Sequence, residues 1–152
     1  MAYDRVGGVF LKKNCCTRKI IWLLLVIGMV FSLGGCYHAR EKAYYSDKNN
    51  FLSGEAVVDN IIFDEKNDCL YFWLSDLDDV YQDYTFKVAG KNVDILLESS
   101  LFEKVQIGSK ITFSSAPRYF GDGYCMPIVA LSCDGEVLLP FEVGHENLMR
   151  LY

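Results

Sequence analysis

An uncharged apolar run from Ile20 to Tyr37 divides this chain and limits what the rest can become. Its first half is dense: Ile20, Ile21, Trp22, Leu23, Leu24, Leu25, Val26 and Ile27. Lys12, Lys13, Arg18 and Lys19 lie shortly before it. A positive flank followed by an apolar run is a secretory or signal-anchor pattern, with the positive side retained in the cytoplasm. The run spans 18 residues, the lower edge of what crosses about 30 Å of hydrocarbon as a helix. The chain beyond it is long enough for one ordinary domain.

Charge is divided in the same way. From Met1 to Cys36 five basic residues face one acid, a net +4; from Tyr37 onward ten Lys/Arg face nineteen Asp/Glu, a net −9. The anchor is basic and the domain acidic. An acidic domain has no electrostatic footprint for a phosphate backbone, so nucleic acid is not an expected partner. Ten Tyr, ten Phe and two Trp in a chain with three Pro describe a folded protein rather than a disordered one.

The run ends in Leu33-Gly34-Gly35-Cys36. This resembles the lipobox of bacterial lipoproteins, an aliphatic residue and two small residues before a Cys. In that family a dedicated peptidase cuts before the Cys, which then carries acyl chains. The resemblance implies a signal peptide over 1–36 and lipidation at Cys36, with several chains giving firm attachment. The stretch before the run is long for a signal peptide, which suggests a true start downstream, near Leu11. The alternative is an uncleaved single-pass helix with Cys15 and Cys16 as cytoplasmic thiols, a setting in which juxtamembrane cysteines are palmitoylated. Either way the domain is expected outside the cytoplasm, at the cell surface or in the periplasm.

Residues 37–53 are polar and aperiodic, and read as a tether. The domain is expected over 54–152. Ala56, Val57, Val58, Ile61, Ile62 and Phe63 form a first strand, with Asp59-Asn60 as a bulge. Glu65 to Asp68 is a turn. Leu70 to Leu74 is a second strand with Leu and Phe on one face and Tyr71 and Trp73 on the other. Tyr84 to Val88 alternates as a third. The period then changes: Val93, Leu96, Leu97, Leu101 and Val105 predict a helix capped by Asn92 and stopped by Gly108. Lys110 to Ser114 and Met126 to Ser132 are further strands, with Gly121-Asp122-Gly123 as the turn between them. Asp134-Gly135 is a hairpin signal leading into Glu136 to Phe141. Gly144 to Leu151 predicts a terminal helix.

The fold class is therefore mainly β, a barrel of five or six strands with one helix between strands 3 and 4, plus the N-terminal hydrophobic helix. That element order is the order of the OB-fold. The segment from Phe102 to Thr112 resembles the helix-to-strand junction of OB domains, where a Gly precedes an apolar strand. Over Gly54 to Phe141 the chain is similar to OB-like modules of bacterial lipoproteins, grouped as tRNA-anticodon-binding-like. The other architecture compatible with this order is a different small antiparallel barrel or sandwich.

Candidate site residues are few. In an OB-fold the face of strands 2 and 3 binds ligands, which makes Tyr71, Trp73 and Tyr84 stacking candidates, with Phe86 expected inside the barrel. Asp76, Asp78, Asp79 and Asp83 offer hard oxygen ligands to Ca²⁺, but lack the turn Gly and distal Glu of an EF-hand; a solvated loop is the plainer expectation and no metal site is assigned. His38 and His145 are the only histidines, and no spacing supports Cys125 or Cys133 as a nucleophile served by His145. Outside the membrane Cys69, Cys125 and Cys133 remain after Cys36. Cys125 and Cys133 flank one strand and lie roughly 26 Å apart when extended, so only Cys69 has a possible bridge, to either of them.

No cofactor is expected. The leading expectation is a non-enzymatic, membrane-anchored binding module, held by a lipid or hydrophobic anchor, whose partner is an envelope protein or glycan. Two alternatives stand beside it: a small envelope enzyme using the acids of the 76–83 loop, and an inhibitor or immunity lipoprotein whose acidity suits a basic target.

Overall fold

The computed structural model describes residues 37–81, 84–118 and 125–152. The apolar run before Tyr37, Cys36, Asp83 and the Gly121–Gly123 turn lie outside them. Among the described residues no helix is long and apolar enough to cross a membrane.

Five strands close a barrel. They are β1 (Leu52–Asp64), β2 (Cys69–Ser75), β3 (Thr85–Ala89), β4 (Lys110–Ser115) and β5 (Cys125–Cys133). β1 is long enough to serve two partners: its first half pairs antiparallel with β4, Leu52 opposite Ser115, and its second half with β2, Asp64 opposite Cys69. The register with β2 shifts between Val58 and Asn60, the bulge expected at Asp59-Asn60. A bulge bends and twists its strand, which lets one strand turn from one partner to the next. β3 then pairs parallel with β5, Phe86 opposite Met126, and closes the ring β1-β2-β3-β5-β4. This is an OB-like barrel. A sixth strand, β6 (Glu136–Leu139), extends β5 through the hairpin at Asp134-Gly135, whose φ values of 50° and 81° are those of a primed turn.

Strand alternation fills the interior. Val58, Leu70, Phe72, Phe86, Phe113, Met126 and Leu131 are buried within it. Phe86 and Phe113 meet edge to face at 5.0 Å, and Tyr81 lies 5.1 Å from Phe113. Gly54 makes room for them: a Cβ there would sit 2.9 Å from the Tyr81 ring and 3.1 Å from that of Phe113.

The helix between strands 3 and 4 is two helices. α2 (Lys91–Glu98) and α3 (Leu101–Lys104) are separated at Ser99-Ser100, with Ser100 left-handed at φ 60°. Ser99 Oγ donates to the Leu96 carbonyl at 2.7 Å, the local side-chain bond by which Ser competes with helix continuation. Leu96, Leu101 and Val105 still reach the core. Asn92 is not the cap. Gly90 occupies the cap position at φ 60°, and Asn92 is buried within the helix.

Residues 37–53 also differ from the expectation of a tether. The described part of a first helix, α1, covers 37–46, and a 3-10 turn comes next at Lys48–Asn50, capped by Asp47. Tyr45 and Phe51 are buried with Ala116, Val129 and Leu148 in a second apolar cluster. The fourth helix, α4 (Phe141–Met149), supplies its other side and begins three residues earlier than expected. Pro140 has no N–H to continue the β6 ladder, so the strand ends at Leu139 and the helix begins. This layer covers β5 from outside. The stretch 37–53 is polar by composition because only one stripe of α1 is needed to bury it.

Candidate functional site

The strand 2 face is built by alternation. Leu70 and Phe72 point inward, so Tyr71 and Trp73 point outward. Register puts Tyr71 between Ile62 of β1 and Lys87 of β3, and Trp73 opposite Asn60. The Tyr71 and Trp73 rings are 6.4 Å apart and tilted by 46°. Ile62 is 46% and Trp73 39% exposed, so the patch presents apolar surface to solvent without being a stray residue. Burial raises the Tyr71 phenol above its usual range, and the neighbouring Lys87 ammonium opposes the rise. The phenol is therefore a neutral donor at ordinary pH.

Lys87 is the residue that sequence reasoning missed. It is half-buried, faces outward beside Tyr71, and lines a cleft of about 490 Å³ counting its open mouth. Glu41, Cys125, Pro127 and Tyr152 also line that cleft. The signal available in the sequence was the Lys that follows Phe86 in the alternating Tyr84 to Val88, which reads simply as the solvent side of a strand. The aromatic pair and the cleft thus form a continuous surface joined at Lys87. Tyr84 is placed differently. It precedes β3 and packs, half-buried, against the barrel core that holds Phe86.

The acidic loop is exposed over Asp76, Asp78 and Asp79. Asp76 is left-handed at φ 55°, and the Asp78 carbonyl accepts from Tyr81 N at 2.9 Å, starting a 3-10 turn. Asp76 and Asp78 share with Glu55 and Thr112 a shallow open groove of about 720 Å³. Among the described residues no group of three His, Cys, Asp or Glu is placed to hold a metal ion.

The histidine and cysteines are occupied structurally. His145 is buried, its Nε2 lies 2.8 Å from the Tyr45 carbonyl, and its ring stacks on Phe141 at 5.8 Å. Next to a carbonyl, Nε2 carries the proton and donates. Cys133 Sγ donates to the Lys104 carbonyl at 3.5 Å, and burial pushes its thiol up, away from a thiolate. Among the described residues, Cys69 and Cys133 are buried and form no disulfide. Cys125 and Cys133 are the first and last residues of β5, as their spacing implies.

Comparison with protein families, curated proteins and solved structures gave no match.

Proposed function

We propose that the protein is a membrane-anchored, extracytoplasmic binding module, non-enzymatic, that meets an envelope protein or glycan through the Tyr71–Trp73–Lys87 surface. The observation that carries this reading is the outward pair Tyr71 and Trp73, set 6.4 Å apart and flanked by exposed Ile62. Aromatic faces held by a barrel give stacking area with little side-chain entropy to lose. Lys87 adds one charge to fix the orientation of an anionic group of the partner. The anchored placement rests on the apolar run, its basic flank and the LGGC sequence ending at Cys36.

The test uses Trp73 as its own reporter. Only Trp22 and Trp73 occur in the chain, so a Trp22→Phe protein reports from the face alone. Titration with solubilised envelope fractions should shift its emission, and Tyr71→Ala should weaken the response at least ten-fold. An unchanged Trp73 emission in fractions that co-purify with the protein would place the contact elsewhere. A second reading draws on the groove where Asp76 and Asp78 lie together with Glu55: a small envelope hydrolase or transferase. Loss of an envelope-modifying activity in Asp76→Asn and Asp78→Asn, with Trp73 unaffected, would favour it.

A further inference from the structure

The cleft beside Lys87 is enclosed by parts distant in the chain. Its floor is the parallel pair of β3 and β5, where Lys87 lies opposite Pro127. Its walls come from Glu41 and Tyr45 of α1 and from Leu151 and Tyr152 after α4. These walls are held in place. The Tyr45 and Tyr152 rings meet at 5.8 Å, and Lys42 Nζ donates to the Tyr152 backbone oxygen at 3.2 Å. Leu151 fits over Gly90, where a Cβ would come 3.1 Å from its Cδ2. Two lining side chains are charged, Glu41 and Lys87, both half-buried. Among the described residues neither has a salt-bridge partner, and they do not pair with each other. Asn92 also lines the cleft, but it is engaged by the Gly144 carbonyl and by Asn147. The two charges are therefore the strongest handles the cleft offers, because hydrogen bonds to charged groups exceed those between neutral ones.

We infer that the cleft binds a short zwitterionic ligand with the size and chemistry of a dipeptide, its carboxylate on Lys87 and its ammonium on Glu41. The inference deepens the binding-module reading and rests on it through Lys87, which both share. Charge selects this class of ligand. A bare anion gains Lys87 but meets Glu41 and the net −9 of the chain from Tyr37 onward. A bare cation gains Glu41 but meets Lys87. A zwitterion satisfies both groups and carries no net charge into that field. Size points the same way. The cleft is about 490 Å³ with its open mouth, which admits a ligand of one or two residues rather than a folded partner. Pro127 and Leu151 offer apolar surface on which small aliphatic side chains of the ligand pack.

The experiment is an amide chemical-shift titration of the full chain in detergent, with alanyl-alanine as the probe. Its N-acetylated form and its C-terminal amide are titrated beside it. The free dipeptide should give saturable shifts around Glu41, Lys87 and Pro127. Capping either end should weaken binding about five-fold. Lys87→Met should abolish the penalty for amidation and keep that for acetylation, and Glu41→Gln should do the reverse. Amides far from the cleft should keep their positions in both variants, which shows that they fold. Equal binding of the free and capped forms, or penalties that ignore the two substitutions, would overturn the assignment of the charges. No saturable shift at millimolar dipeptide, in protein whose Trp73 emission still answers envelope fractions, would overturn the cleft ligand and leave the surface reading standing. Protein that answers neither probe would overturn both.

Discussion

The barrel interior and the layer made by α1 and α4 are both apolar, yet they are assembled in opposite ways. The interior is filled by alternation along five strands, so many side chains share the work: Leu70, Phe72, Phe86, Phe113 and Leu131 are each at most 1% exposed. The outer layer depends on a few point contacts between segments distant in the chain. His145 reaches the Tyr45 carbonyl at 2.8 Å, Asn92 donates to the Gly144 carbonyl at 2.9 Å, and Lys48 pairs with Glu142. Each region admits its neighbour at one glycine, and these differ in kind. A Cβ at Gly54 would meet ring carbons at 2.9 and 3.1 Å, whereas one at Gly144 would fall 1.9 Å from the Val129 carbonyl oxygen. Rings shift by small rotations and a strand backbone does not. The interior should therefore tolerate small changes that the outer layer cannot.

The largest effect should come from emptying the interior. Phe113→Ala removes a ring that contacts both Phe86 and Tyr81, and should cost about 3–5 kcal/mol. Urea unfolding followed by tryptophan emission and by far-UV dichroism should shift together, because α4 lies on β5 and loses its support. Separate transitions would show that the outer layer survives without the barrel, and would break its dependence on the interior.

Next comes Gly144→Ala, which should cost about 3 kcal/mol. Amide exchange should accelerate across α1 and α4 while β1, β2 and β4 keep their protection. Equal acceleration everywhere would mean that interior and layer open as one unit. A smaller version of the same test is Asn92→Ala. Asn92 is 2% exposed and joins α2 to α4 through Gly144 and through Asn147 Nδ2 at 3.0 Å. Its loss leaves the Gly144 carbonyl without that donor and should cost about 1–3 kcal/mol, again read mainly in α4.

The two regions also differ in how far the sequence disclosed them. β2 and β3 are legible as alternating runs, β1 as a β-branched run and β6 from its hairpin signal: the Val58/Asn60 register shift falls at Asp59-Asn60, and the primed turn at Asp134-Gly135. The helix break at Ser99-Ser100 was visible only as two poor helix formers inside a good apolar stripe. The outer layer was hidden because its aromatics are isolated in polar sequence. In YHAREKAYYSDKNNFLS only Tyr45 and Phe51 are buried apolar side chains that join the second cluster, and their partners Val129 and Leu148 are nearly 80 residues or more away. A signal did exist: Ala39 to Ala43 are mostly strong helix formers, and Glu41, Tyr44 and Tyr45 fall on one face. At the candidate site Tyr71 and Trp73 were legible from alternation, whereas Lys87 needed the β2–β3 register and the parallel β3–β5 pairing to join them to the cleft.

The smallest effect comes from a residue of the interior that carries a polar group. Tyr81 is 1% exposed, and its hydroxyl donates to the Leu52 carbonyl at 2.8 Å. Burial, with a smaller contribution from the Asp78 carboxylate, pushes its phenol up to about 12. A phenolate could not donate that bond, which acts in the same direction. The unfolded chain releases the phenol proton near pH 10, so above that pH the unfolded state binds fewer protons than the folded one. Stability from this group is therefore complete below about pH 10 and is lost as the pH rises through about 12. Tyr81→Phe should cost about 1 kcal/mol at neutral pH through the lost hydrogen bond. It should also remove this alkaline loss, so the two stability curves converge between about pH 10 and 12. Other tyrosines are common to both proteins, and the difference between the curves isolates Tyr81. Curves that stay parallel through that window would mean that the phenol titrates alike in both states. The barrel interior would then admit water at Tyr81, and the contrast between a sealed interior and a point-fastened layer would fail at this position.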